Sequence, residues 1–252
     1  MLKIGELFQD KYLILQQLGK GGSSIVYLAK YQNTFYAIKE IKEEYKEGGM
    51  NEGRILQLLK HPHIVELKEY VMLERIYLIL EYISDLTLEQ YLISHHKKDE
   101  MLQFALELSQ VLGYIHQMGY IYRDLKPANI MIKDGHIKLI DFGIVRKYKK
   151  QPDTTLLGTR GYCAPEIERV GKTTYQSDLY SLGITLAMMF TGKMPRDGKV
   201  ELSDQELKGI IERCLKEKME ERYQSCEEII RDLKKYEKRR KRKCNYRLKL
   251  WS

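Results

Sequence analysis

The apolar residues of this chain change their spacing once. Up to about residue 80 they fall in short, partly alternating runs bounded by turn residues, and from about residue 86 they recur every three or four positions. That order predicts an α+β protein, a small sheet lobe followed by a larger helical one. Strands are predicted at Tyr12 to Leu18, Ile25 to Lys30, Phe35 to Ile41 and Ile76 to Tyr82. Between them Ile55, Leu58 and Leu59 sit at helical spacing, and His61-Pro62 stops that element. In the second part Met101, Phe104, Ala105, Leu108, Val111, Leu112 and Ile115 make one apolar face, with Asp99 as the N-cap and Gly119 closing the end. Ile130 to Ile132 and Ile137 to Leu139 flank Asp134-Gly135 as a short hairpin. Gly143 to Tyr162 has the composition of a mobile loop. Leu179 to Phe190 is apolar nearly all round and predicts a central core helix, with Ile210 to Leu215 and Ile229 to Tyr236 packing beside it.

Composition removes several classes. With 43% apolar and 31% charged residues among 252, the chain suits a globular protein and not a disordered or collagen-like one. Its net charge of +8 is local: eight of the 43 basic residues lie in 238–252, which holds no acid, and the other 35 match the 35 acids of 1–237. A neutral body offers no matching groove for specific nucleic-acid binding. Four cysteines, Cys163, Cys214, Cys226 and Cys244, show no metal spacing and point to a reducing, cytoplasmic setting. No stretch resembles a signal peptide or is long enough to cross a bilayer.

Three segments carry chemistry. Gly19-Lys20-Gly21-Gly22-Ser23-Ser24-Ile25-Val26 is a glycine-rich turn between strands, where backbone amides can approach a phosphate; a ligand-free tight hairpin would use the same residues. It is not a Walker P-loop, because no Gly-Lys-Ser/Thr follows. Ala37-Ile38-Lys39 sets an ammonium in an apolar strand, where it needs anions such as a phosphate and Glu52, or else snorkels to the surface. Tyr122-Arg123-Asp124-Leu125-Lys126-Pro127-Ala128-Asn129, followed by Asp141-Phe142-Gly143, offers oxygens of the kind that hold Mg²⁺.

With Ala164-Pro165-Glu166 added, this ordered set resembles a eukaryotic-type serine/threonine protein kinase of the kind also found in bacteria. The resemblance spans residues 12–236 and implies a bilobal kinase fold. Its N-lobe is a small antiparallel sheet with one main helix, over about 1–83, and its mainly helical C-lobe covers about 84–236; 237–252 is left as a basic tail. It implies ATP and Mg²⁺, with Mn²⁺ as the alternative ion. Leu18, Gly19, Gly21, Val26, Ala37 and Met131 would enclose the nucleotide, with Leu80 at the back of the adenine pocket and the backbone of Glu81 and Ile83 bonding the base. Lys39 would hold the α- and β-phosphates, braced by Glu52; Asp124 would orient the substrate hydroxyl, Lys126 neutralise the transferring phosphoryl group, and Asn129 and Asp141 hold the metal. Lys126 and Thr159 resemble the serine/threonine branch, so the implied partners are proteins bearing Ser or Thr. Glu166 and Arg222 resemble the family's buried ion pair, and Asp178 the residue that holds the Arg123 backbone.

Four departures stand out. Ser24 replaces the usual third glycine and Tyr122 the usual histidine. Lys39 and Glu52 are only 13 positions apart, with Gly53 weakening the helix, so their pair is expected to form part of the time and Glu47 is a second candidate. The stretch Thr191 to Ser203 is short, which predicts fewer docking surfaces. Arg123 predicts control by a phosphothreonine at Thr154 or Thr155. The tail, Lys238 to Lys243 with Arg247, Lys249 and Trp251, reads either as a segment for an anionic membrane surface at the inner face or as the solvated end of the last helix. Oligomeric state is not legible. Two other readings fit parts of the pattern: a silent scaffold that binds ATP or partners, and a small-molecule kinase, which usually lacks the Ala-Pro-Glu element.

Overall fold

The structure is a computed structural model that describes residues 1–94, 97–149 and 158–249, with side chains followed to residue 242. Thr154 and Thr155, and with them the phosphosite expectation, lie outside the described residues, as do His95, His96 and Trp251. Two compact units are present: residues 1–85 with 138–144, and residues 86–137 with 145–252.

The first unit is a six-stranded sheet built from β1 (Leu7–Phe8), β2 (Tyr12–Lys20), β3 (Ser24–Tyr31), β4 (Thr34–Ile41), β5 (Leu67–Met72) and β6 (Ile76–Glu81). Its order is β1-β2-β3-β4-β6-β5, with every neighbour antiparallel. Because side chains alternate across a strand, Ile38 and Lys39 part company. Ile38 joins Phe8, Tyr12, Ile14, Tyr27 and Ile79 in an apolar cluster on one face. Lys39 shares the other face with its cross-strand partners Val26 and Leu78, and Ala37 lies beside it with Leu28 and Leu80 opposite.

Helix α1 (Lys46–Leu58) covers the Lys39 face. Two of its glycines explain how closely it sits: a Cβ on Gly49 would meet the Ile41 side chain at 2.7 Å, and one on Gly53 would meet the Tyr70 ring at 2.5 Å. Gly53, a weakness by helix propensity, is thus the residue that lets α1 lie against β5 and β6. Of the three residues expected on the apolar face of α1, Ile55 and Leu59 are buried, whereas Leu58 is 56% exposed.

The second unit holds α2 (Leu88–Tyr91), α3 (Lys98–Gln117), β7 (Tyr120–Ile121), β8 (Ile130–Lys133), β9 (His136–Leu139), β10 (Arg146–Lys147), α4 (Pro165–Val170), α5 (Tyr175–Thr191), α6 (Gln205–Cys214) and α7 (Cys226–Lys249). Lys97, not Asp99, is the N-cap of α3; Asp99 lies in its first turn, where a carboxylate favours the helix dipole. Gly119, at φ +82°, follows the helix end in the left-handed conformation expected of it. Asp134 and Gly135 turn the β8–β9 hairpin with φ of +52° and +76°. Within β9 the chain passes back to the first unit at Lys138, so Asp141 belongs to the sheet unit although its position in the sequence placed it with the helices. Long-range bonds cause this: Leu139 N donates to His63 O and Val65 N to Leu139 O, both at 2.9 Å.

The stretch expected to lack regular structure contains β10, paired with β7. Helix α5 is buried nearly all round, as its sequence requires. Helix α7 continues past residue 236 without a break, and its first tail cations are engaged: Arg239 reaches Glu206 at 2.8 Å, Lys241 reaches Glu237 at 2.6 Å, and Arg240 pairs with Asp99. Among the described residues no helix is long and apolar enough to cross a membrane.

Candidate active site

In the sheet unit, buried Lys39 donates to Glu52 Oε1 at 2.7 Å and to Asp141 Oδ1 at 2.9 Å. Burial works against its charge, but the two carboxylates outweigh it and hold the ammonium above its usual range. Burial pushes the Glu52 carboxyl up, against the pull of Lys39. The short spacing between the two residues therefore does not keep them apart; the close seat of α1 described above closes the gap. Glu47 is exposed in the first turn of α1 and takes no part.

Asp141 is shaped by its own turn. Gly143 N donates to Asp141 Oδ1 at 3.1 Å, and a Cβ on Gly143 would come within 3.3 Å of that oxygen. Phe142 N donates to Glu52 Oε1 at 3.4 Å. The Asp141 side chain is 45% exposed, a carboxylate of the kind hard cations prefer.

The glycine turn is closed by Gly21 N donating to Ser24 O at 2.8 Å. A Cβ on Gly19 or Gly22 would meet nothing within 4 Å, and neither Gly19 nor Gly21 needs a positive φ, so the protein's own packing does not demand glycine there. Lys42, which no motif flagged, donates from Nζ to Gly21 O at 3.0 Å. Leu18 falls at a register shift between β2 and β3 and is 40% exposed. Leu80 and Ile83 are buried. The Glu81 N–H is committed to Glu66 O at 2.9 Å.

In the helical unit the chain between β7 and β8 builds a second constellation. Asp124 Oδ1 accepts from Thr159 Oγ1 at 2.7 Å, and Oδ2 accepts from Lys126 Nζ at 2.8 Å and Asn129 Nδ2 at 2.7 Å. Lys126 Nζ also donates to Thr159 Oγ1 at 2.6 Å, so Asp124, Lys126 and Thr159 form a closed triangle. Asn129 Nδ2 reaches the Asp124 carbonyl too, at 2.9 Å, which turns the amide oxygen away from Asp124. Met131 is half-buried on β8.

This loop is held from behind. Arg123, buried, adopts φ +75°, a strained setting for a non-glycine residue. Asp178 on α5 accepts from Tyr122 N at 2.7 Å and Arg123 N at 2.8 Å, and His116 Nε2 lies 2.8 Å from its Oδ2. His116 was invisible to motif reading, since it acts from a different helix. Tyr122 is fully buried.

Arg222 spends all five N–H donors: two on Glu166 at 2.8 Å, and the rest on the carbonyls of Lys216, Gln176 and Glu217. Cys163 donates to Thr159 O at 3.4 Å. Burial, with the Glu168 and Asp124 carboxylates, pushes its thiol up, away from the reactive thiolate. Among the described residues no group of three His, Cys, Asp or Glu side chains could hold a metal ion by itself.

The protein kinase domain family matches residues 12–243. The chain is 32% identical over 216 residues to the probable serine/threonine-protein kinase PknB of Lactococcus lactis, covering 79% of this chain and 34% of that protein. It is 33% identical over 216 residues to the serine/threonine-protein kinase PrkC of Bacillus subtilis, with coverage of 79% and 33%. It is 37% identical over 198 residues to the serine/threonine-protein kinase RUNKEL of Arabidopsis thaliana, with coverage of 74% and 14%. The chain thus spans about a third of the length of these two bacterial relatives.

Proposed function

Because the chain belongs to the protein kinase family, we propose that it moves the γ-phosphoryl group of ATP onto Ser or Thr hydroxyls of proteins. The observation that carries the reading is the closed Asp124–Lys126–Thr159 triangle, a carboxylate oriented by a cation and a hydroxyl. Asp124 would take up the hydroxyl proton as the oxygen attacks phosphorus. Lys126 would turn its ammonium toward the charge building on the transferred group. Thr159 would keep both in place.

In the sheet unit Lys39, fixed by Glu52, would bind the α- and β-phosphates. The glycines at 19 and 21 are not demanded by packing, which favours a role in close approach to those phosphates. Val26, Ala37 and Leu80 share the Lys39 face and would contact the base from the sheet unit with Leu18; Met131 is the helical unit's own candidate for a base contact. Since the Glu81 N–H is already committed, that residue would offer its carbonyl, and Ile83 its backbone.

The Asp141 carboxylate and the Asn129 amide oxygen are hard donors, and Asn129 is turned so that its nitrogen faces Asp124. Each is an oxygen of the kind that would hold Mg²⁺, or Mn²⁺, and the ion would supply neutralisation of phosphate charge. Autophosphorylation at Thr154 or Thr155, read by Arg123, belongs to the same proposal.

The test is incubation with labelled ATP, Mg²⁺ and generic Ser/Thr-bearing acceptor proteins, beside Asp124→Asn and Asp141→Ala. Transfer by the wild type alone supports the reading. Equal transfer by all three proteins ends the catalytic assignment, and no transfer by any favours a scaffold. Phosphoamino-acid analysis that returned phosphotyrosine would defeat the hydroxyl class.

A further inference from the structure

The turn between α5 and α6 places two cations where they repel. Arg196 and Lys199 face each other across the two-residue turn Asp197-Gly198, whose φ values are +50° and +67°. Their backbones exchange hydrogen bonds, Lys199 N to Arg196 O at 2.9 Å and Arg196 N to Lys199 O at 3.3 Å. Residues directly opposite in such a pair project on one side, and like charges there are unfavourable. Among the described residues neither side chain has a hydrogen bond or a close ion pair, though Lys193 first, and then Arg196, hold the nearby Glu201 carboxyl below its usual range.

Both line an open groove of about 820 Å³, together with Lys193, Lys208, Asp197 and Glu201. Lys193 is occupied by Glu201 at 3.1 Å, and Lys208 lies 3.8 Å from Glu212. With those pairs set aside, Arg196 and Lys199 stand against Asp197, which leaves a surplus of one positive charge on the groove. The short stretch after α5, Thr191 to Ser203, supplies most of the lining of this groove.

The groove abuts the loop that carries Thr159. A Cβ on Gly161 would stand 3.2 Å from Met194 Cε, and Met194 lines the groove. Two residues before Gly161, Thr159 bonds both Asp124 and Lys126. A polypeptide whose hydroxyl lies at Asp124 can continue along Gly161 into the groove, at about 3.3 Å per extended residue.

We propose that this groove docks an acidic stretch of the protein substrate, with Asp or Glu carboxylates seated between Arg196 and Lys199. This names the substrate class and rests on the kinase reading above. The occupant is a segment of the acceptor itself, because a chain whose hydroxyl lies at Asp124 starts beside the Thr159 loop, and Gly161 of that loop lies against Met194 of the groove. Charge complementarity decides its composition.

Two Ser peptides test it, alike except that one carries four Glu on a flank where the other carries four Gln, each made with the run on either side of the serine. The Glu peptide should show a KM about tenfold lower on one flank at similar kcat, as two exposed ion pairs can supply. In Arg196→Ala/Lys199→Ala the ratio of the two KM values should fall to about one. A ratio near one in the wild type on both flanks overturns the proposal, as does a tenfold ratio that persists in the double variant. Fluorescence anisotropy of the labelled Glu and Gln peptides on the nucleotide-free protein reads the same preference without transfer. If neither peptide is phosphorylated but the Glu peptide binds through Arg196 and Lys199, the kinase reading fails and the groove assignment stands. An oligonucleotide or an anionic vesicle that binds through these two residues, with no preference for the Glu peptide, overturns it.

Discussion

Gly53 lies so close to Tyr70 that a Cβ there would come within 2.5 Å of ring carbons Cδ2 and Cε2, and within 3.2 Å of Leu78. Helix propensity alone favours Gly53→Ala by about 1 kcal/mol. Overpacking against a ring costs about 1 to 3 kcal/mol and wins. Gly53→Ala should therefore lower Tm and raise the KM for ATP, because α1 must retreat and carry Glu52 away from Lys39. In a Tyr70→Ala background the same change should become neutral or stabilising. A higher Tm for the single variant would show that the ring yields.

Lys39→Met removes the counter-charge from a buried carboxylate. Glu52 is already pushed up by burial, and without Lys39 its folded pKa moves further above the unfolded value of about 4.3. The folded state then binds the proton more tightly than the unfolded state does. The added instability is absent below about pH 4 and grows as pH rises through the folded pKa, toward about 3 to 5 kcal/mol at neutral pH. Urea unfolding at pH 4.5 and 7.5 should show the variant losing more against wild type at the higher pH, and Lys39→Met/Glu52→Gln should remove that slope. Phosphoryl transfer should be lost in both variants.

Local pattern exposed much of this molecule. Alternation over Phe35 to Ile41 and the all-round apolar character of Leu179 to Phe190 predict β4 and α5, because both depend on which side of an element is buried. Strand β5, Leu67–Met72, carries Lys68 and Glu69 at the sheet edge and gave no alternating signal. Asp141 was legible as a site residue, but its place with the sheet depends on bonds from Leu139 to His63 and Val65, more than 70 positions away. Gly53 is a helix defect by propensity and a packing necessity by contact, and only the contact reveals which. His116 and Lys42 act on segments far from them in sequence, so no spacing rule could find them.

Thr159 bridges the Asp124 carboxylate and the Lys126 ammonium. Hydrogen bonds to charged groups are worth about 1.5 to 3 kcal/mol, so Thr159→Ala should lower kcat by about ten- to a hundredfold. The KM for ATP should change little, because Lys39 and Glu52 are untouched. Thr159→Ser retains the hydroxyl and should recover most of the rate. A loss in Thr159→Ser equal to that in Thr159→Ala would mean that the methyl group, not the bridge, matters.

Asp204 ties three helices together. Its Oδ1 caps α6 by accepting from Leu207 N at 3.2 Å, while Oδ2 accepts from Lys98 at 2.8 Å and from Tyr236 at 2.7 Å. Partial burial opposes the charge, but Lys98, Tyr236 and the cap outweigh it and lower the carboxyl to about 2. A depressed folded pKa means that the stabilisation is present above the unfolded value of about 4 and is lost as pH falls toward 2. Asp204→Asn keeps a capping oxygen and removes the charge, so its deficit against wild type should be present at pH 7 and shrink between about pH 4 and 2. Asp204→Ala also removes the cap and should cost about 1 to 2 kcal/mol at pH 7. Chemical denaturation across that window checks both, and a deficit for Asp204→Asn that stayed constant from pH 7 to 2 would mean that the ionised carboxylate contributes nothing.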